Sequence, residues 1–173
     1  MALLSKYTAI LLLPAVVAFV VIPQWRAKQL GSPYPWLAGL IAIAIFSPVI
    51  YWNAIHDWAS FKFQLDRPAQ VDGWSVKYLL DFAGQQFGLL GPVLFPVVLM
   101  GSGRLAWRGY RTGDPISILL STCVLFPLGF FVWRAFHSRI GDSWPLFVWP
   151  FGFASVAINL KSWRREAPTS PLT

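Results

Sequence analysis

The residues best placed to do chemistry lie in one stretch, SPVIYWNAIHDWASFKFQ, running from Ser47 to Gln64. It opens in an apolar run and closes on Asn53, His56, Asp57 and Trp58. That is the pattern of a membrane helix leaving hydrocarbon for water, a depth at which ionisable groups escape the cost of full burial. Adjacent His and Asp side chains do not share a helix face, so Asp57 need not serve the same ligand as His56. Asn53 lies one turn earlier on the His56 face and is placed to orient it. The competing reading of His56 is an interfacial histidine bonded to backbone at a helix end. A second candidate is Lys6, a cation inside an apolar run and therefore a functional hypothesis by default. Its alternative is a side chain that snorkels to the headgroups. Tyr7 beside it is either a hydrogen-bond donor or an ordinary aromatic-belt residue.

The elements that must position these groups are membrane spans. The chain has 173 residues, 56% of them hydrophobic and 12% charged, about half the charge of a soluble domain. Its 10 tryptophans exceed what a water-soluble core needs and suit membrane interfaces. Five apolar stretches come close to the ~20 residues that cross a bilayer: Leu3–Ile22, Trp36–Ile55, Phe82–Met100, Ile116–Phe136 and Trp144–Leu160. The expected fold is an all-α polytopic membrane domain over residues 1–166, followed by a disordered Pro/Ser/Thr-rich tail at 167–173. Pro14, Pro48, Pro92, Pro96, Pro127 and Pro150 fall inside the spans, where neighbouring helices tolerate them as kinks. The segment His56–Gln86 alternates aromatics with charges, which predicts short amphipathic helices lying on the membrane surface or a packed lid. Cys123 is a lone thiol in an apolar run, expected to pack rather than to bind metal.

Charge sets the orientation. The net charge is +7, but the basic residues sit in short clusters between apolar runs, a membrane pattern rather than a nucleic-acid one. One set of connections holds Arg26, Lys28, Arg104, Arg108, Arg111, Lys161, Arg164 and Arg165 against Asp114 and Glu166. The other balances Lys62, Arg67, Lys77, Arg134 and Arg139 against Asp57, Asp66, Asp72, Asp81 and Asp142. The positive-inside rule makes the first set cytoplasmic, with the C-terminus, and turns His56 outward from a bacterial inner membrane. On that outer side the guanidiniums of Arg134 and Arg139 suit bidentate phosphate contacts, or simply lipid headgroups.

Four segments look familiar in order. MALLSKYTAILLLP resembles the lysine-motif span of bacterial dolichyl-phosphate-mannose protein mannosyltransferase-like enzymes, and SPVIYWNAIHDWASFKFQLDR is similar to the motif one hairpin later. QQFGLLGPVLFPVVL resembles the next span, and RIGDSWPLFVWPF the family's "NWP" stretch, with Ser143 where Asn is usual. The resemblance implies an integral membrane glycosyltransferase that moves a sugar from a polyprenyl-phosphate carrier to an acceptor at the outer face. It implies His56 as a metal ligand or phosphate neighbour, a divalent metal as cofactor, and Lys6 as a phosphate-holding residue in an inner cavity. One histidine is not by itself a metal site, since zinc takes three or four ligands. Asp142 and Trp144 would mark the acceptor side. The family's catalytic carboxylate belongs to an early outer loop that matches nothing in this sequence, so no residue is expected to be the catalytic base. The expectation is the later part of a transferase membrane domain. The alternatives are a non-catalytic subunit, completed by a second membrane chain carrying the remaining helices, and a lipid-phosphate-binding module.

Overall fold

The computed structural model describes residues 7–21, 30–63, 74–141 and 143–166. Side chains are described for all of these except Tyr7 and residues 163–166. A 3₁₀ turn at Tyr7–Leu12 leads into α1 (Leu13–Val21), and α2 spans Tyr34–Ile55. Residues 59–63 make one further helical turn. Then come α3 (Val76–Thr112), α4 (Pro115–Ala135), a 3₁₀ turn at Trp144–Val148 and α5 (Trp149–Glu166). The described residues contain no strand, and the chain is an all-α polytopic membrane protein. Three helices, α2, α3 and α4, are long and apolar enough to cross a membrane.

Helix α4 is the hub. Ser117, Ser121, Val124, Leu128, Phe131 and Ala135 are all buried, at alternating steps of four and three that keep one stripe facing inward. Two apolar clusters form along it. Val124 and Leu128 pack with Val98, Val148 and Trp149. Phe131 and Ala135 pack with Phe82 and Ile140. Helix α3 therefore lines one side of α4, and the Trp144–Val148 turn leads α5 in on another.

Helices α3 and α5 run parallel, and small residues let them approach. A Cβ on Gly152 would overlap the Val98 side chain, and one on Gly101 would sit 3.1 Å from Val156. Asn159 fixes the register by donating from Nδ2 to the Gly101 carbonyl at 2.9 Å. Without a hydrophobic difference between lipid and leucine, such close approach and interhelical hydrogen bonds hold membrane helices together.

The prolines are absorbed in particular ways. Pro48 lies inside α2 and has no N–H to give the carbonyl of Ala44. The Ser47 hydroxyl donates to that same carbonyl at 2.7 Å instead. In α3, Gly91 adopts φ 81° and ψ 160°. Pro92 pushes the residue before it out of the helical region, and only glycine enters this part of the map at little cost. The helix breaks there and resumes. At 37 residues, or ~55 Å if straight, α3 exceeds the hydrocarbon thickness; both of its halves pack on α4, and the second also meets α5. Pro145 and Pro150, expected inside a fifth span, fall instead in the 3₁₀ turn and the first turn of α5, where a missing N–H costs nothing.

Three expected boundaries change. The third span starts at Val76 rather than Phe82, so the latter part of the expected amphipathic segment belongs to α3. Helix α5 starts at Trp149 rather than Trp144, and the described part of the first span is the 3₁₀ turn plus α1. The tail expected at 167–173 lies outside the described residues.

Gly91→Ala is expected to destabilise the protein by about 1–3 kcal/mol, although a Cβ there meets no atom within 4 Å. Gly39→Ala, within α2, also meets nothing within 4 Å and should be neutral or stabilise by about 0.5–1 kcal/mol. Thermal unfolding in detergent, followed by tryptophan fluorescence, separates the two. Equal behaviour of the pair would mean that the backbone break does not constrain the fold.

Candidate functional site

The end of α2 is built around Asn53, the single buried residue of that helix. Its Nδ2 donates to the Val49 carbonyl at 2.9 Å, and its Oδ1 accepts from the Ser60 N–H at 3.1 Å. Its own carbonyl accepts from the N–H of His56 and of Trp58, at 3.2 and 2.8 Å. One side chain and its backbone thus terminate α2 and cap the helical turn that follows. Between these anchors Asp57 and Trp58 are both left-handed, at φ 52° and 58°. Asp tolerates that region, whereas a bulky Trp there is an outlier. Consecutive strained residues persist only where their surroundings over-determine them, and such places cluster at functional sites.

The turn presents His56. Its ring stacks on Trp52, with centroids 4.1 Å apart and planes 12° from parallel. Its Nδ1 lies 2.8 Å from the Trp52 carbonyl. A carbonyl only accepts, so Nδ1 carries the proton and Nε2 is the ring nitrogen left to meet a partner. The imidazole is therefore oriented by Trp52. Asn53, read from the sequence as its orienting residue, acts on the backbone around it instead.

A second helix end is built alike. His137, just past α4, places Nδ1 3.0 Å from the Trp133 carbonyl. Arg134, 5% exposed, lies in the last turn of α4. Its carbonyl accepts from the N–H of His137 and Ser138. Arg139 is exposed, and the buried Ile140 next to it pins the chain to the core. The start of α3 is fastened here too, by the Ser75 N–H donating to the Phe136 carbonyl at 2.8 Å. Consecutive spans alternate in direction, so the ends of α2 and α4 and the start of α3 share one membrane face.

The sequence-derived candidates thus fall into two groups, Asn53, His56 and Asp57 at one helix end and Arg134 and Arg139 at another. Tyr7 opens the first 3₁₀ turn, while Lys6, Arg67 and Asp142 lie outside the described residues. Among the described residues no group of three or more His, Cys, Asp or Glu could hold a metal ion. His56 by itself supplies one of the three or four ligands that a zinc ion takes. Sequence reasoning passed over His137, although the Trp-x-x-x-His spacing at 52/56 recurs at 133/137. It also passed over Gln86, whose buried amide has no hydrogen-bond partner among the described residues.

Residues 1–52 match the sequence profile of the dolichyl-phosphate-mannose-protein mannosyltransferase family. The chain is similar to this family of membrane glycosyltransferases. It is also 26% identical over 113 residues to the lipid A galacturonosyltransferase RgtD of Rhizobium johnstonii. That alignment covers 64% of this chain and 22% of RgtD, so the chain spans about a fifth of that relative's length. No solved structure matches. The family match runs through α1 and most of α2 and stops at Trp52, the residue on which the His56 ring rests.

Asn53→Ala is expected to cost about 1–3 kcal/mol, because it leaves the Ser60 N–H without its acceptor. It should also release the 56–60 turn. Limited proteolysis in nanodiscs would then cut near Trp58 in the variant before the wild type. Identical cleavage would mean that Asn53 does not hold the turn.

Proposed function

We propose that this chain forms the carrier-binding part of a membrane glycosyltransferase that uses a polyprenyl-phosphate-linked sugar. The observation that carries the reading is the His56 turn. A strained, over-determined loop at a membrane edge fixes an imidazole through Nδ1 and leaves Nε2 as the nitrogen available to a ligand. Similarity to a mannosyltransferase family and to a lipid A glycosyltransferase supports the sugar-transfer class.

In such a transfer the bond between the anomeric carbon and the carrier phosphate breaks. A new bond forms from that carbon to an acceptor oxygen, whose proton passes to a carboxylate base. Negative charge builds on the departing phosphate, and preorganised donors lower that barrier. His56, Arg134 and Arg139, with Lys6 and Tyr7, are the groups assigned to the phosphate, and Asn53 and Asp57 hold and shape the turn. No described residue is assigned as the base. The positive-inside pattern supports reading this face as outward from the inner membrane, with the C-terminus cytoplasmic.

A second reading is a subunit or lipid-phosphate-binding module completed by another membrane chain. It draws on α2, along which no other described element packs extensively and whose apolar window is 6% buried. Both readings place phosphate binding at His56 and differ in whether the assembled protein transfers sugar.

The test is binding of a polyprenyl monophosphate to the chain in nanodiscs. His56→Ala is expected to weaken binding about tenfold, the loss of one charge-assisted hydrogen bond. Undiminished binding by the variant would remove His56 from the site. Sugar transfer catalysed by the purified chain alone would overturn the carrier-binding assignment in favour of a complete enzyme.

A further inference from the structure

We infer that His137 is a second phosphate-contacting group at this membrane face, working through Nε2 alongside Arg139. The inference rests on reading this face as the site of the carrier phosphate. It begins from a duplicated local structure. Both histidines of the chain stand four residues after a tryptophan at the end of a spanning helix. Both direct Nδ1 at that tryptophan's carbonyl, at 2.8 Å for His56 and 3.0 Å for His137. The shared bond leaves the same nitrogen, Nε2, for a ligand in each case.

The surroundings of His137 are the more enclosed. Trp74 meets the imidazole edge-on at 5.1 Å, and Trp133 lies against it at 5.4 Å. Trp74 also packs on Phe136 at 5.3 Å, and the Ser75–Phe136 hydrogen bond closes the two helix ends together. His137 is half-buried among these rings, whereas His56 is exposed. Two aromatic walls fix the ring plane and limit the directions from which a partner reaches Nε2.

Charge selects the partner. Lys77 is exposed two residues beyond Ser75, Arg139 is exposed two residues beyond His137, and Arg134 precedes His137 by one turn. Asp81 is the described carboxylate on the same two helix ends. A protonated Nε2 donates, and a phosphate ester accepts from it and from a guanidinium together.

The test uses the two amide replacements for imidazole in the full chain in nanodiscs. Asn places its nitrogen where Nδ1 was and can keep the bond to the Trp133 carbonyl, while Gln reaches the position of Nε2. His137→Asn is expected to weaken binding of a polyprenyl monophosphate about tenfold with an unchanged thermal midpoint, and His137→Gln to stay within about twofold of wild type. Inorganic phosphate as competitor identifies the source of the ligand. Competition shows that the site takes the phosphate group itself, and its absence shows that the group is held only with its lipid.

Wild-type binding by His137→Asn overturns the inference. So does a parallel fall in binding and thermal midpoint in both variants, since that marks His137 as a structural cap. If His56→Ala weakens binding and His137→Asn does not, this inference fails and the carrier-binding reading stands. If the wild-type chain binds no polyprenyl phosphate, both fail.

Discussion

Inside a bilayer no water is available to a backbone N–H or C=O, and every such group must find its partner within the protein. The rest of this structure follows from that requirement. The three long spans are helices because a helix satisfies its own ladder. Where the ladder is interrupted, a nearby group stands in. The Ser47 hydroxyl reaches the carbonyl that Pro48 leaves free. The α3 ladder stops at Gly91 and begins again beyond it. At the end of α2, where chain must leave the helix, Asn53 gathers the loose donors of the next turn onto one side chain and one carbonyl. The turn that carries His56 is the form the chain takes when a helix end is closed by a single buried amide.

The same economy explains the two histidines. A helix end has carbonyls with lone pairs to spare, and a ring nitrogen four residues on can donate to one of them. Doing so fixes the ring's tautomer. A group recruited to finish a helix is thereby aimed, with one nitrogen committed and the other available. Tryptophans, which belong at this depth for reasons of amphipathicity, pack against both rings, stacked on His56 and edge-on or tilted against His137. Structural necessity and chemical readiness are met by the same bond.

Much of this was legible in the residues. Of the five stretches that apolar run lengths marked as spans, three are long apolar helices, because hydrocarbon thickness sets that length directly. The break from apolar to polar at Asn53–His56 marked the end of α2, and with it the candidate site, for the same reason. Other features depended on partners that no local pattern reveals. Asn53 looked like a neighbour of His56 by helical spacing, but its amide turns to Val49 and Ser60, since the chain folds back after Trp58. His137 was overlooked because it lies past the end of a strongly apolar helix and has no acidic neighbour to draw notice. Its surroundings depend on Trp74, more than sixty residues earlier in the chain. The start of α3 was misjudged because Lys77 and Asp81 lower the local hydropathy without breaking the helix.

The interruption at Gly91 divides one long rod into two members with separate allegiances. Above it, α3 is fastened to the end of α4 through Ser75 and Phe136. Below it, α3 is laced to α5 through Gly101 and Asn159. A single straight helix would act as a lever, turning any tilt at one membrane face into an opposite tilt at the other. A jointed one does not. The bend is local to α3: the unbroken α4 packs on Phe82 before it and on Val98 after it, and so ties the two halves together. The joint redirects the chain, and α4 is the splint that holds both of its arms.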